Sequence, residues 1–508
     1  MQQEAEGARE RHEPRMWARV LAPTLLGLVA SVLVMAANTN PGRWLPGSRQ
    51  GPWIFSFPVL GSAEVPNSVA IAVYYAGLAL LGLAWVWILG VATRHRPFPP
   101  ALALVVFVVW SAPLALAPPV GSDDLASYAA TGLLINRGFD PYEVGVEVLG
   151  PERAVTATSP FWHDSPQPYG PVFLGVMATA SSVTGHRFLR TVMVLRAFAL
   201  ASLALLAVPL VSLARRYGRD PGLVLVSVVC SPLLLVHLVG GAHNEALMLA
   251  LLAAGLAVGL AGVAAATPRR RIALGLAGVA LCGLATGVKL PALLGAAVLG
   301  WLWPGSDASV VRRFSGATVA TALAGVVVVA LSMGSGFGMG WVNNMDVPQK
   351  AVTLITPFTA LGVAAEWMMA QVGRPTGPLV PAFRQGGIIL GIALAGLCVT
   401  RAHRIGPVPA LGAALLVLAV SAQTVWPWYF TWGLTFLCIG SVSLWLQVLI
   451  VAVNFTVTPL GPPTLGLYYW QETAVAITLV ILVAGGVTAA TWWRRRAPRR
   501  LLPQPLPT

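Results

Sequence analysis

Long apolar stretches recur along almost the whole chain, from Leu21 to Ala490, with no extended polar region between them. A helix needs about 20 apolar residues to cross a hydrocarbon core of roughly 30 Å. The first half of the chain contains six stretches close to that length, at residues 18–37, 68–92, 101–118, 191–214, 221–239 and 244–266. They predict six membrane-spanning helices.

The later apolar stretches are shorter or are interrupted by Gly and Pro. They lie at residues 271–287, 290–303, 314–333, 386–400, 407–424, 427–441, 443–458 and 472–493. The pattern as a whole predicts an all-α polytopic membrane protein with about 13–14 spans. One integral domain would cover residues 18–493, between tails at 1–17 and 494–508. We expect the 170–185 stretch to form an interfacial or re-entrant helix, and the 351–370 stretch is ambiguous.

Composition supports a membrane protein and excludes two other classes. Only 10% of the residues are charged and 56% are hydrophobic, which a soluble fold could not bury. The net charge of +14 comes from 30 Arg and two Lys in short scattered clusters, so we expect no nucleic-acid partner. The four cysteines lie inside apolar stretches, where they imply no disulfide framework.

Arginine clusters predict the orientation. Placing the clusters near residues 9–19, 94–96, 215–219, 269–271, 312–313, 401–404 and 494–500 in the cytoplasm accounts for 21 of the 30 arginines. This choice puts both termini in the cytoplasm and the 119–169 connection outside it. We therefore expect a multi-pass plasma-membrane protein whose active site faces away from the cytoplasm.

The 119–169 connection is the longest polar loop and holds seven of the 18 acidic residues. It opens with Asp123 and Asp124 beside an apolar helix, and Tyr128 follows one helical turn after Asp124. A carboxylate in this position can act as a general base toward a hydroxyl group. Alternatively, acids in an outer loop are merely solvated, which is the simpler interpretation for Glu143, Glu147 and Glu152.

Both lysines fall on the predicted outer side. Lys289 interrupts an uncharged stretch between residues 272 and 304, and Lys350 lies in a polar loop. A cation without a partner at such a position costs roughly 2.5–3.5 kcal/mol, and a phosphate is a natural partner. Snorkelling of Lys289 to the membrane surface is the alternative. Lys289 and Lys350 are therefore candidates for binding a phosphate, and Tyr128 is a further polar residue on the same predicted side.

Polar and aromatic residues at other predicted outer ends are further candidates for a binding site. His243, Asn244 and Glu245 begin the sixth predicted span, where Asn244 or Glu245 could simply cap the helix. His237 is more typical of a core histidine. No spacing of histidine and carboxylate residues predicts a metal site, and the need for a divalent metal stays open.

Aromatic residues supply the remaining candidates. Trp426, Trp428 and Tyr429 could stack on the apolar face of a ligand, although aromatic belts occur at membrane interfaces in any case. The far arm of the acidic loop could close over such a ligand, and its candidate residues are Trp162, His163, Asp164 and Tyr169.

Several motifs resemble a known family when taken in order. They are SDDLASY, GFDPYEVG, SPFWHDSPQPYGPVF, GGAHNEALM, GVKLPALLG, ITPFTALG and VWPWYFTW. They resemble the actinobacterial polyprenyl-phosphomannose-dependent α-1,6-mannosyltransferases, which belong to the GT-C superfamily of integral-membrane glycosyltransferases. The resemblance implies a GT-C-like helix bundle, a polyprenyl-phosphate-mannose donor and a mannosylated glycolipid acceptor of the lipomannan type. It also assigns the catalytic carboxylate to Asp124, with Asp123 as its neighbour. In such an enzyme the candidates for binding the donor phosphate or lipid are Lys289, Lys350 and Tyr128. The candidates for binding the sugar or the acceptor are His243, Asn244, Glu245, Trp426, Trp428, Tyr429, Tyr169, Trp162, His163 and Asp164.

Three alternatives stay open from the sequence. A related glycosyltransferase could use another polyprenyl-phosphate sugar, such as arabinose or glucose. A transporter would place ionisable residues near the bilayer midplane and show related halves, neither of which the sequence indicates. A structural membrane scaffold is the third. The sequence predicts contact with membrane lipids and leaves the oligomeric state open.

Overall fold

The computed structural model describes residues 2–39, 67–347, 356–375, 377–440 and 444–459. Every regular element within these ranges is a helix, which confirms the predicted all-α class. The predicted span at 472–493, the C-terminal tail and Lys350 lie outside the described residues.

Ten α-helices occupy the described part of the first half of the chain. They are α1 (Gln2–Asn38), α2 (Asn67–Arg94), α3 (Pro100–Leu116), α4 (Asp124–Asn136), α5 (Arg153–Ala157), α6 (Pro171–Val183), α7 (Phe188–Arg216), α8 (Pro221–Val228), α9 (Pro232–Leu234) and α10 (Glu245–Val263). A π-helical turn, Leu235–Gly240, follows α9. Several of these helices begin at a proline, whose fixed φ suits the first helical position and whose missing N–H is not needed there.

Nine more α-helices follow in the described part of the second half. They are α11 (Pro268–Thr286), α12 (Leu293–Leu302), α13 (Val310–Gly334), α14 (Pro357–Gln371), α15 (Leu379–Thr400), α16 (Ala402–Ile405), α17 (Pro407–Ser421), α18 (Phe430–Leu437) and α19 (Leu444–Val457). Helix α10 packs against both α7 and α11, and α4 packs on α6. This packing brings the acidic loop beside the start of α10.

Within the described ranges, six helices are long and apolar enough to cross a membrane. They are Met16–Asn38, Val69–Arg94, Phe188–Arg216, Glu245–Val263, Val310–Gly334 and Leu379–Thr400. A seventh crossing results if α8 and the segment Pro232–Gly240, which are bent by 51° at their junction, count as one broken span. The polytopic architecture agrees with the prediction, and the 221–239 segment is a bent pair rather than one straight helix.

The predicted number of spans exceeds the number of full-length helices because several apolar stretches fold as shorter ones. Helices α3, α17 and α19 and the segment Leu290–Leu302 have only 10–17 residues in the apolar part. The predicted span at 427–441 is wrong, since it folds as a 3₁₀ turn followed by the eight-residue α18. Eight residues extend about 12 Å, well short of the hydrocarbon core. Helix α6 has 13 residues, fewer than a straight crossing needs, and its interfacial or re-entrant position stays a prediction.

One buried arginine joins three elements near the acidic loop. The guanidinium of Arg196, on α7, donates hydrogen bonds to the carbonyl oxygens of Ala115 and Ala117, at the end of α3. It also donates to the carbonyl oxygen of Gly240 at 3.1 Å. A charged donor can satisfy several otherwise unpaired carbonyls at once, so Arg196 fixes the start of the acidic loop next to the start of α10.

Candidate active site

The acidic loop places its second aspartate at the first residue of a buried helix. Helix α4 begins at Asp124, and Tyr128 follows one turn later, as the spacing predicts. Only 8% of Asp124 and 1% of Tyr128 are exposed. The residual exposure of Asp124 leaves its carboxylate accessible to a small group from outside, whereas Tyr128 belongs to the wall of the site.

Three groups surround the Asp124 carboxylate and the start of α4. The indole N–H of Trp162 donates to Oδ1 at 3.0 Å. Nδ1 of His243 lies 3.5 Å from Oδ2. The backbone N–H of Asp124 donates to the hydroxyl of Ser122 at 3.1 Å. The carboxylate is therefore held from two sides by elements far apart in the sequence.

A backbone connection explains why Asp124 and His243 meet. The N–H of Val120 donates to the carbonyl oxygen of Gly240 at 3.2 Å. A β-carbon on Gly240 would lie 2.9 Å from the β-carbon of Val120, so only glycine permits this approach. The two chain segments run side by side just before Asp124 and His243.

The cation of the site is Lys289, and it is paired inside the protein. Its ammonium nitrogen lies 2.5 Å from Oε1 of Glu245, the first residue of α10. The side chain of Glu245 is completely buried, and that of Lys289 is 16% exposed. A buried pair of this kind is tolerated because each charge balances the other.

Aromatic rings surround the Lys289 ammonium. Its nitrogen lies 4.4 Å from the centre of the Tyr429 ring, 5.4 Å from that of Trp432 and 5.9 Å from that of Tyr169. The face of an aromatic ring attracts a cation, more strongly where water is excluded. The rings of Tyr429, Trp432 and Tyr169 form an aromatic cage that holds the ammonium in position, and part of the lysine side chain stays exposed.

Close backbone contact between two glycines places Tyr169 and Lys289 together. The carbonyl oxygen of Gly287 accepts a hydrogen bond from the N–H of Val172 at 3.0 Å. A β-carbon on Gly170 would lie only 2.3 Å from that oxygen. The hydroxyl of Tyr169 lies 3.5 Å from that of Tyr128. The start of α6 is thereby fixed against the turn that carries the lysine.

Burial sets the protonation preferences of the site. It raises the pKa of Asp124 to about 6, against the lowering effects of the Trp162 hydrogen bond and the Lys289 charge. Burial disfavours the Lys289 ammonium, but the neighbouring Glu245 outweighs this effect and the pKa of Lys289 is raised. Burial also lowers the pKa of His243 well below its usual value, with smaller contributions from His237 and Lys289. Near neutral pH the site therefore holds an ionised Asp124, a charged lysine and a neutral histidine.

Two tryptophans predicted as sugar-binding residues are stacked on each other. The rings of Trp426 and Trp428 are parallel, with centres 5.4 Å apart. Trp428 is buried and also stacks on His243, at 3.7 Å between ring centres. The half-buried Trp426 is the more accessible of the two rings, so Trp428 mainly supports the histidine.

Asn244 does not act as the helix cap that the sequence left open. It is the N-cap residue of α10, but its side chain makes no capping hydrogen bond. Both polar atoms of its buried amide lack a partner among the described residues. Asn244 lines a small cavity together with Tyr128 and His243. Its buried amide therefore faces an internal space rather than the free N–H groups at the start of α10.

Other predicted residues lie apart from this cluster. The His163 ring nitrogen contacts the carbonyl oxygens of Val155 and Thr158 at 3.0 and 3.2 Å, within the loop itself. Asp164 is exposed and accepts a hydrogen bond from Ser165. Asp123 is buried immediately before α4, and its carbonyl oxygen begins the hydrogen bonding of that helix.

Some residues of the site were missed in the sequence. Trp432 packs beside Lys289 and stacks on Tyr429 at 4.3 Å between ring centres. Trp432 lies three residues after Tyr429, or about one helical turn, and this spacing could have indicated that the two side chains share a face. His237, predicted as a core residue, is fully buried, and its ring centre lies 5.8 Å from that of Trp428. Among the residues that the structure describes, no three His, Cys, Asp or Glu side chains form a group that could hold a metal ion.

Comparison with known proteins gives consistent matches. A family model described as alpha-(1->6)-mannopyranosyltransferase, N-terminal domain, matches residues 24–305. A probable alpha-(1->6)-mannopyranosyltransferase of Mycolicibacterium smegmatis is 29% identical over 82% of this chain and 80% of its own length. Alpha-(1->6)-mannopyranosyltransferase B of Corynebacterium glutamicum is 30% identical over 76% and 68%, and alpha-(1->6)-mannopyranosyltransferase A of Mycobacterium tuberculosis is 28% identical over 90% and 88%. No solved structure matches the chain significantly.

Proposed function

Because this chain belongs to the alpha-(1->6)-mannopyranosyltransferase family, we propose that it transfers mannose from polyprenyl-phosphate-mannose to a growing α-1,6-mannan chain on a glycolipid. The acceptor would be of the lipomannan or lipoarabinomannan type. The observation that carries this proposal is the pairing of one accessible, desolvated carboxylate, Asp124, with one caged ammonium, Lys289, in the same buried cluster.

One base is sufficient for this reaction. A glycoside hydrolase needs a second carboxyl group because its alcohol leaving group must be protonated. A lipid phosphate leaves without a proton. In the proposed step, the acceptor hydroxyl oxygen forms a bond to the anomeric carbon of mannose, the bond from that carbon to the phosphate oxygen breaks, and Asp124 takes the hydroxyl proton. A single displacement of this kind inverts the anomeric configuration.

Lys289 would stabilise the departing phosphate. The phosphate gains negative charge as its bond to the sugar breaks, and a cation fixed at that point lowers the energy of the transition state. An ammonium has three N–H donors, of which Glu245 occupies one. The partly exposed edge of Lys289 is where the donor phosphate would bind. Tyr169 and Tyr128 keep their protons, since burial raises the pKa of each well above the usual range, and their hydroxyl groups can donate to the same phosphate.

The sugar would lie between the carboxylate and the accessible tryptophan. Trp426 is half-buried and offers a ring for the apolar face of a mannose unit. The carboxylate of Glu245 is fully buried and paired with Lys289, so it acts through the lysine rather than on the sugar.

A transfer assay tests the proposal. The purified full-length protein is supplied separately with radiolabelled polyprenyl-phosphate mannose, arabinose or glucose, together with a short α-1,6-mannoside acceptor. We expect an α-1,6-linked product from the mannose donor, formed roughly 10²- to 10⁴-fold more slowly by Asp124→Asn. Transfer of arabinose or glucose in preference to mannose would show that the proposed donor is wrong.

The proposed site faces away from the cytoplasm, and cysteine labelling in intact cells tests this orientation. Glu147 and Thr267 are both exposed and lie on opposite predicted sides. The native cysteines are buried or half-buried, which keeps the background low. An impermeant reagent should label Glu147→Cys and not Thr267→Cys. The reverse pattern would move the site to the cytoplasmic side.

A further inference from the structure

The imidazole of His243 lies between the Asp124 carboxylate and an indole. Its Nδ1 is 3.5 Å from Oδ2 of Asp124, and its ring stacks on Trp428 with 21° between the planes. A β-carbon on Gly241 would lie 2.9 Å from one ring carbon and 3.0 Å from Nε2 of the histidine. The ring therefore has tight neighbours on several sides and little freedom to turn away from the carboxylate.

We propose that His243 is a positioning residue for the general base: as a neutral imidazole it directs its Nδ1–H toward Oδ2 of Asp124, while Trp162 holds Oδ1. This inference rests on the proposed function, because it assigns a partner to the base of that reaction. It replaces the role predicted from the sequence, in which His243 bound the sugar.

Burial separates the roles of the two residues. No part of the His243 side chain is exposed, whereas 11% of the Asp124 side chain is exposed. An acceptor hydroxyl can therefore reach the carboxylate but not the imidazole. Asp124 is the group that touches the acceptor, and His243 acts through it.

The distance between Nδ1 of His243 and Oδ2 of Asp124 is compatible with a hydrogen bond that shortens when substrate binds. A donor–acceptor distance of 3.5 Å is at the long end for a hydrogen bond, and catalytic hydrogen bonds often shorten only in the complex with substrate. Neither ring nitrogen of His243 has a hydrogen-bond partner among the described residues. The Nδ1–H has Asp124 as its adjacent acceptor, and a carboxylate oxygen that accepts one hydrogen bond retains a lone pair for the acceptor proton.

A neutral ring suits this role better than a charged one. An imidazolium beside Asp124 could transfer its own proton to the carboxylate and block the base. Burial and the nearby charge of Lys289 oppose that form. The titratable groups that face Asp124 and His243 from the surrounding elements are Tyr128, Tyr169, His237, Glu245, Lys289 and Tyr429, and Asp123 precedes Asp124 in the chain. Of these, Lys289 is the cation, and its charge acts together with the Trp162 hydrogen bond to favour the ionised carboxylate.

Two substitutions distinguish a positioning role of His243 from a role in packing alone. His243→Asn keeps an N–H donor attached at the same branch point but loses the ring on Trp428. His243→Phe keeps a ring on Trp428 but loses the donor. A positioning role predicts that His243→Asn is the more active variant, and a packing role predicts the opposite order.

The measurement is the pH dependence of kcat and of kcat/KM for mannosyl transfer by the purified full-length variants. We expect His243→Phe to lose roughly 10- to 100-fold in kcat, with donor KM changed less than about threefold. The acid limb of its profile should move upward by about one pH unit, since a hydrogen bond to the ionised carboxylate has been lost. His243→Asn should keep the limb near that of the unsubstituted protein.

Three outcomes would overturn the inference. These are equal losses in both variants with an unmoved acid limb, a more active His243→Phe, or a raised donor KM with unchanged kcat. If His243→Phe does not fold, His243→Leu replaces it. Leu and Asn both lack the ring and differ in the donor, so equal activity of these two variants with an unmoved acid limb would overturn the inference. Full activity of Asp124→Asn would instead refute the base assignment, so failure of the proposed function is distinguishable from failure of this inference.

Discussion

The ammonium nitrogen of Lys289 lies 2.5 Å from a carboxylate oxygen of Glu245, so one of the two lysines in the chain is paired with an acid that is fully buried. Simple snorkelling of Lys289 to the membrane surface does not describe this arrangement. The pair holds a cation beside Asp124 without leaving its charge uncompensated before a donor binds. A donor phosphate would then add a second anion to a lysine that is already in position.

Removing one member of this pair should destabilise the protein more than removing both. Lys289→Met leaves the Glu245 carboxylate buried without its cation, a loss that typically costs about 3–5 kcal/mol. The double variant Lys289→Met, Glu245→Gln should recover most of the thermal stability and remain inactive, because it has no cation for the phosphate. Thermal unfolding and mannosyl transfer, measured on the two single variants and the double variant, test both parts. Recovery of activity in the double variant would contradict the role of Lys289.

The activity should fall on acidification with a midpoint near pH 6. Asp124 accepts a proton only when it is ionised, and burial raises its pKa to about 6. Below that pH, kcat/KM should decrease about tenfold per unit, and above it the activity should level off. Trp162→Phe removes a hydrogen bond that favours the ionised form, so its acid limb should move to higher pH. Trp426→Phe is the control, whose limb should stay in place; a common shift in both variants would argue against the specific hydrogen bond.

The contact between the start of α6 and the lysine turn should tolerate no side chain. In Gly170→Ala, the new β-carbon would lie 2.3 Å from the carbonyl oxygen of Gly287 and would push Tyr169 away from Lys289. We expect a strong loss of folded protein or of activity. Gly175→Ala, five residues later on α6, would place its β-carbon with no other atom within 4 Å, so it is the matched control and should behave like the unsubstituted protein. Similar behaviour of both variants would mean that the glycine contact does not position the site.

Local features of the site could be predicted from the sequence. The spacing between Asp124 and Tyr128 predicted one helical turn, and both residues lie on α4 as expected. Such predictions work because helical periodicity depends only on neighbouring residues. The full-length apolar helices were predictable for the same reason, since length and hydropathy are properties of a continuous segment.

Long-range features could not be predicted in this way. Glu245 and Lys289 are 44 residues apart, and their contact depends on how two helices and a turn pack together. Trp162 and His163 are adjacent in the sequence, but only Trp162 donates to Asp124, because the two side chains leave a short 3₁₀ turn in different directions. The helix predicted at 427–441 was too long. An apolar stretch does not show that its first residues form a Pro-containing 3₁₀ turn, which leaves only α18 as a regular helix.

The most direct test of the account is the turnover of Asp124→Asn compared with Asp123→Asn. The asparagine keeps the size of Asp124 and can still interact with Trp162, but it cannot accept the acceptor proton. We predict that mannosyl transfer by Asp124→Asn falls roughly 10²- to 10⁴-fold while donor binding is retained, and that Asp123→Asn loses less. Turnover by Asp124→Asn close to that of the unsubstituted protein would contradict the assignment of the general base.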